Sequence, residues 1–166
     1  MAKKTNSNAT LNPKAGRPNI PGYGIAKSNK GLLPWKWALN RLRKSRQYWI
    51  ATTRPDGAPH VMLIWGLWLD DGFYFSTGKD SRKAKNLASN PRCVICSNNS
   101  AEAVIVEGVV ESMSPEKLKP IFVAYKKKYK MDVSGMGEPF YRVQPSVAFG
   151  LLEKKFTGTA TRWIFS

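Results

Sequence analysis

The side chains that could do chemistry are few, and the densest group is Ser76-Thr77-Gly78-Lys79-Asp80-Ser81-Arg82-Lys83. It offers hydroxyls where a strand would end and a glycine that lets the backbone approach a ligand closely. Two cations follow in what would be the first turn of a helix, whose free N–H groups already favour an anion. Phosphate binding is the economical reading, although a capped helix with solvated charges would use the same residues. His60 is the only histidine and sits in an apolar run, which leaves no multi-His metal site and no Ser-His-Asp relay with spare partners. A structural role and proton donation are what remain for it. Cys93 and Cys96 have C-x-x-C spacing, but in a predicted strand positions three apart point to opposite faces, so neither a redox pair nor a metal site is expected. The carboxylates fall mostly in turns and at helix starts, with no pair suited to acid and base work. If the chain is an enzyme, a bound cofactor therefore carries the reaction. Trp49, Trp65, Trp68 and Trp163 fall on strands, where core packing accounts for them; a ring-shaped cofactor would need some of them in a cleft.

The elements that must position these residues are legible in the pattern. Trp35, Ala38, Leu39 and Leu42 recur at helical spacing behind Pro34, with Arg41, Arg43, Lys44 and Arg46 on the polar side, and predict an amphipathic helix of about three turns. A strand at 47–53 enters the turn Arg54-Pro55-Asp56-Gly57, in which proline presets φ, aspartate caps locally and glycine takes positive φ. The next strand, 60–69, is almost continuously apolar, which implies burial on both faces. Asp70-Asp71-Gly72 turns it back into 73–77. A short helix at 81–89 ends at Asn90-Pro91, and strands at 92–97 and 103–112 flank an Asn98-Asn99 turn. Ser114-Pro115-Glu116 starts a second long helix running to Lys130, 135–139 is a loop, and strands at 146–152 and 159–165 finish the chain. Six or so strands with helices inserted between hairpins predict a mainly β fold, a small closed or split antiparallel barrel.

Length and composition fit one domain, since 166 residues with 42% hydrophobic and 23% charged side chains is ordinary for a globular chain. The charge is not ordinary. The formal net charge is +16, eleven basic residues precede residue 51, and the first acidic residue is Asp56. Residues 1–30 are rich in Asn, Lys, Pro and Gly and nearly free of large apolar side chains, so they are expected to be a disordered basic tail, with the folded domain at 31–166. Such an arm could attract nucleic acid by counterion release, and a nucleic-acid role would rest on it. No apolar run is long enough to span a bilayer, and no apolar segment follows the basic amino terminus, so the expected location is the cytoplasm.

At this point the residues resemble a known family. Arg54-Pro55-Asp56-Gly57, Pro59-His60-Val61, Trp65-Gly66, Ser81-Arg82-Lys83 with Asn86-Leu87, and Asn90-Pro91-Arg92 stand in the order and spacing of the pyridoxamine 5'-phosphate oxidase-like split β-barrel proteins. The similarity leans towards their flavin- and deazaflavin-dependent oxidoreductase branch, and the ending around Thr161-Arg162-Trp163 is similar to that branch too. The resemblance covers about residues 32–165. It implies an FMN-binding type of split barrel and a homodimer with the cofactor at the subunit interface. Ser81, Arg82 and Lys83 would then hold its phosphate with Ser76 and Thr77, the backbone Val61-Met62-Leu63-Ile64-Trp65 would run along the rings, and Asn86 and Trp163 would belong to the same site. FMN and coenzyme F-420 share a phosphate and both remain open. The polyglutamate tail of F-420 would suit a basic groove formed by Arg41, Arg43, Lys44 and residues 126–130. Where true pyridoxamine phosphate oxidases carry cations near both ends of the second strand, this chain has His60 and Trp65, and their substrate-binding carboxy-terminal segment is missing, so pyridoxamine phosphate is not the expected substrate. The expected activity is hydride transfer between the cofactor and a small conjugated organic molecule, with Trp65, Trp68 and Trp163 as an apolar wall and His60 and Tyr48 as candidate proton donors. The alternative is a flavin- or tetrapyrrole-binding protein of the same fold with little turnover.

Overall fold

The structure, a computed structural model, describes residues 11–70 and 72–166. The nine strands among these residues form one antiparallel sheet in the order β1-β9-β8-β7-β6-β2-β3, with β5 joined to β8 and β4 to β5, and four α-helices lie between them in the chain. The strands are β1 Lys14–Gly16, β2 Tyr48–Thr53, β3 Pro59–Ile64, β4 Leu67–Leu69, β5 Gly72–Ser76, β6 Arg92–Ser97, β7 Glu102–Ser112, β8 Phe140–Leu152 and β9 Thr161–Ile164. The helices are α1 Trp35–Lys44, α2 Arg82–Ser89, α3 Lys119–Tyr129 and α4 Phe156–Thr159. The sheet rolls but does not close, because β3 and β4 are consecutive in the chain yet pair with different strands. β3 pairs with β2, and β4 with β5. This is the mainly β, split-barrel architecture expected from the sequence.

Alternation builds the core. In β2, Tyr48, Ile50 and Thr52 turn inward, and α1 lays Trp35, Ala38, Leu39 and Leu42 onto the same interior. Trp35 is the hub, packed edge-on to Trp68 at 5.6 Å and to Trp163 at 5.4 Å. A second apolar cluster joins Leu67 and Tyr74 to Ile121, Tyr125, Tyr129, Val133 and Phe140, and so fastens α3 over the β4–β5 hairpin.

Three expectations are corrected. The apolar run expected to be one strand with both faces buried is two strands broken at Trp65-Gly66, and its first part is an edge strand with Val61, Met62 and Leu63 52%, 46% and 38% exposed. The last long strand begins at Phe140 rather than 146, since Pro145, which has no N–H, is accommodated opposite Gly108 where the β7–β8 register shifts. The expected disorder of the amino-terminal tail does not hold for its described part. β1 pairs with β9, and the Arg17 guanidinium donates to the carbonyls of Ser28, Lys30 and Ala160 at 2.9, 2.7 and 2.9 Å. Backbone pairing and one arginine supply the order that apolar burial could not. Lys3, Lys4 and Asp71 lie outside the described residues.

The shift in register makes a testable demand. A Cβ on Gly108 would collide with the Gln144 carbonyl oxygen and come within 2.7 Å of Val143 Cγ1. Gly108→Ala is expected to lower stability by about 1 to 3 kcal/mol in urea unfolding. Gly16→Ala, whose Cβ would meet nothing within 4 Å, is expected to stay near wild type.

Candidate functional site

The β2–β3 hairpin and the amino-terminal end of α2 converge at one end of the barrel. The hairpin turn is set by the Gly57 N–H donating to the Arg54 carbonyl at 2.9 Å, with Gly57 at φ 84°, and by the Ala58 N–H donating to Asp56 Oδ1 at 3.0 Å. This geometry pairs Thr52 with His60 and leaves Arg54 beside them. On the other side, β5 ends at Ser76 and the chain turns into α2 at Ser81. The Ser81 N–H donates to the Gly78 carbonyl at 2.9 Å, its Oγ accepts from the Ala84 N–H at 3.2 Å, and Thr77 Oγ1 lies 3.1 Å from Ser81 Oγ. Asn86, fully buried one turn further on, donates from Nδ2 to Thr52 Oγ1 at 3.0 Å and thereby ties α2 to β2.

The result is a cluster of positive charge. His60 Nδ1 stands 3.5 Å from Thr52 Oγ1, and its pKa is held below the ordinary 6.5 by desolvation and by the charges of Arg54, Lys83 and Arg82. Burial also lowers the pKa of Lys83. Arg54 Nε and Asn86 Oδ1 are buried without a hydrogen-bond partner, and no ion pair joins Arg54, Arg82 or Lys83 to a carboxylate among the described residues. Uncompensated cations, hydroxyls at a helix start and an orphaned guanidinium N–H are the donor set that a phosphate needs, so the residues present fit such a group.

A second feature lies at the Trp65-Gly66 break. Trp65 is 47% exposed and stacks on Tyr129, with centroids 5.0 Å apart and planes 5° from parallel. Three side chains of α3 bond its main chain. Tyr125 donates to the Trp65 carbonyl at 3.2 Å, Lys128 Nζ donates to the Gly66 carbonyl at 2.9 Å, and the Tyr129 hydroxyl accepts from the Gly66 N–H at 2.9 Å. Burial, with the Arg46 charge adding to it, lowers the Lys128 pKa from 10.5 to about 8.

Of the residues singled out in the sequence, the structure brings Arg82 and Lys83 to His60, joins Thr77 to Ser81 at the start of α2, turns the Ser76 hydroxyl away to the Pro139 carbonyl, and leaves Val61, Met62, Leu63 and Trp65 exposed. Ile64 is buried beneath that run. Four expectations are corrected. Tyr48 is fully buried, its hydroxyl bonded by the Leu42 and Ser45 carbonyls and by Lys128 Nζ, and burial with neighbouring Tyr129 and Tyr125 pushes its pKa up, so it has neither the access nor the acidity of a proton donor. Trp163 and Trp68 belong to the core and form no ligand wall, because each is packed against Trp35. Asn86 is a buried tie between elements and presents no surface to a ligand. The basic groove is only partly available. Arg41 is engaged by Glu102 at 2.5 Å and Lys126 by Asp132 at 2.9 Å, while Arg43, Lys44, Lys127 and Lys130 stay exposed.

The sequence pattern assigned Arg54 no site role; its signal was a place two residues beyond Thr52, the residue that pairs with His60, and so on the same face of the hairpin. Lys128, expected within the basic groove of residues 126–130, instead turns its ammonium inward to the Tyr48 hydroxyl and the Gly66 carbonyl, on the face that Tyr125 and Tyr129 at helical spacing mark as buried.

Site and fold together define a split β-barrel with a cluster of cations that no carboxylate pairs among the described residues. A family model described as pyridoxamine 5'-phosphate oxidase matches residues 38–160, and the chain belongs to that family. A pyridoxine/pyridoxamine 5'-phosphate oxidase of Bacteroides thetaiotaomicron is 30% identical over 118 residues, 69% of this chain and 54% of its own, so the chain spans about half the length of that relative. Among solved structures, an F420 reductase superposes with a TM-score of 0.55 at 22% identity, covering 66% of this chain and 93% of that one. A heme binding protein from Mycobacterium smegmatis superposes with a TM-score of 0.57 at 19% identity, covering 72% and 55%. These two likenesses show the fold.

As the only histidine, His60 gives an unobstructed NMR titration. Its midpoint is expected below 6.5 and is expected to rise in Arg54→Ala and in Lys83→Ala, because each variant removes a charge that opposes the imidazolium. With the folded pKa below the unfolded one, the unfolded chain binds the extra proton as pH falls through that interval. This group therefore lends stability above about pH 6.5 that acidification removes.

Proposed function

We propose that the chain is a flavin- or deazaflavin-dependent oxidoreductase acting between a bound cofactor, FMN or coenzyme F-420, and a small conjugated organic substrate. The observation that carries this reading is the convergence of Arg54, His60, Arg82 and Lys83 with no carboxylate paired to them among the described residues. Arg82, Lys83 and the Arg54 guanidinium hold the cofactor phosphate, together with the one hydroxyl proton that the Thr77–Ser81 pair leaves free; the Ser76 hydroxyl, which donates to the Pro139 carbonyl, is not available to it. His60, with Nδ1 turned to Thr52, offers Nε2 to the same group. The exposed run from Val61 to Trp65 supplies an apolar bed for the rings. When bound, either cofactor supplies a hydride donor or acceptor. The protein orients it, excludes water and fixes its charge.

The same reading makes the protein a homodimer with the site at its subunit interface. The sheet face opposite the core carries exposed Trp49, Val109 and Ile164 with Val61 and Leu63, and a cleft of about 450 Å3 runs along it past Ala51, Pro59 and Val94. Arg92, Glu107 and Ser146 share the lining of that cleft, so the face joins exposed apolar side chains to a few polar ones, the mixture that an interface between two copies would cover. No helix among the described residues is long and apolar enough to cross a membrane, and a cytoplasmic location accompanies this reading. Binding without turnover, including of a tetrapyrrole, is the second reading, favoured by the heme binding protein of like fold.

Titration of the purified chain with FMN, coenzyme F-420 and hemin separates the cofactors. Arg82→Ala and Lys83→Ala are each expected to weaken binding of the preferred one by about 1 to 3 kcal/mol, the range for a lost charge-assisted hydrogen bond. Unchanged affinity in both variants refutes the phosphate assignment. A reduced cofactor that no substrate panel reoxidises in stopped flow removes the enzyme reading.

A further inference from the structure

Resting on that cofactor-dependent reading, we propose that the open-mouthed cavity lined by Trp65, Tyr125, Met131, Val133, Met136 and Phe140 is the substrate subsite, and that it takes an uncharged compound with a single apolar ring. Its volume is about 180 Å3. An apolar cavity of about 150 Å3 suffices for one benzene ring.

The polar groups in its wall are already engaged within the protein. Ser76 Oγ donates to the Pro139 carbonyl at 2.9 Å, and Thr77 Oγ1 is bonded with Ser81 Oγ. The Tyr125 hydroxyl donates to the Trp65 carbonyl, and Glu138 Oε2 accepts from the Lys79 N–H at 2.9 Å. A hydrocarbon ring entering this space leaves no buried donor or acceptor unpaired, whereas a polar ligand would lose its hydration without gaining partners. The one charged lining group is the Glu138 carboxylate, which repels an anionic ring. Met131 and Met136 are unbranched and adaptable, so the wall accommodates substituents around the ring.

The cavity also adjoins the anion site. Ser76, Thr77 and Gly78 line it, and the Thr77–Ser81 contact leads directly to the start of α2. A ring held there lies beside the segment that grips the cofactor phosphate and beside the exposed Trp65.

The test uses the full chain without cofactor and saturation-transfer NMR with toluene and benzoate. Toluene is expected to bind at least tenfold more tightly than benzoate, whose affinity for the cavity is read from its displacement of toluene. Gly78→Leu places its Cβ 3.9 Å from the Glu138 carboxylate, the nearest group, and directs the side chain into the cavity. It is expected to weaken toluene binding at least tenfold, and Met136→Glu, at a surface-exposed lining residue, at least fivefold. Absence of toluene binding, an equal or higher affinity for benzoate, or unchanged toluene binding in both variants overturns the inference. FMN and F-420 titrations of the same sample keep the two readings apart. Cofactor binding without toluene binding removes the subsite alone. Toluene binding without cofactor binding upholds the ligand class of the cavity and overturns the oxidoreductase reading.

Discussion

The main chain at Trp65-Gly66 pairs with no strand, and everything around the candidate site depends on how its hydrogen bonds are met. Buried peptide groups that lack partners cost free energy comparable to a lost hydrogen bond, so a break in a strand inside a barrel must be repaired locally. Tyr125, Lys128 and Tyr129 of α3 make that repair. Gly66 is required there because a Cβ would strike the Phe73 ring and lie 2.9 Å from the Tyr74 carbonyl oxygen. The break frees β4 to pair with β5, leaves β3 as an edge and turns the Trp65 ring outward onto Tyr129. The split in the barrel, the exposed apolar run and the aromatic wall of the cavity are thus consequences of a single backbone interruption held by one helix.

The second organising force is electrostatic and works against the folded chain alone. Desolvation and the neighbouring charges of Arg54, Lys83 and Arg82 together raise the cost of an imidazolium at His60, as its depressed pKa records. A protein retains such an arrangement where an anion reverses the sign of the interaction, and perturbed groups cluster at functional sites for that reason. The two cores divide the labour. The Trp35-centred cluster holds the rigid sheet, while the α3 cluster holds the break and the cavity.

How much of this could be read beforehand depended on whether the signal was local. The turn Arg54-Pro55-Asp56-Gly57, the Ser81 cap and the apolar stripe of α1 are local, and each element formed where its residues placed it. Of the anion site, the cations of the Ser81-Arg82-Lys83 turn were legible for the same reason. The contribution of Arg54 was not, since it arises only when the hairpin and α2 are brought together by the Asn86–Thr52 bond. The β3 edge misled because a continuous apolar run signals burial on both faces, whereas Val61, Met62 and Leu63 stand exposed in this chain. The described part of the tail misled in the opposite sense, because its order comes from main-chain pairing and the three carbonyls bound by Arg17, neither of which shows in composition.

The two edges of the sheet are treated differently, and the difference bears on assembly. At one edge β1 is three residues long, carries Lys14 and Gly16, and covers the otherwise exposed side of β9. Short, charged and glycine-containing edge strands are how proteins discourage further pairing. At the other edge β3 offers six residues, three of them large, apolar and exposed, with no lysine or inward-pointing charge to blunt it. A chain that protects one edge and leaves the other apolar has not simply failed to manage its edges. The unprotected edge is also the one that lies between the cation cluster and Trp65, so the apolar side chains it leaves exposed and the charges it leaves unpaired stand side by side, which is the arrangement that the proposed seating of a cofactor between two copies of the chain would use.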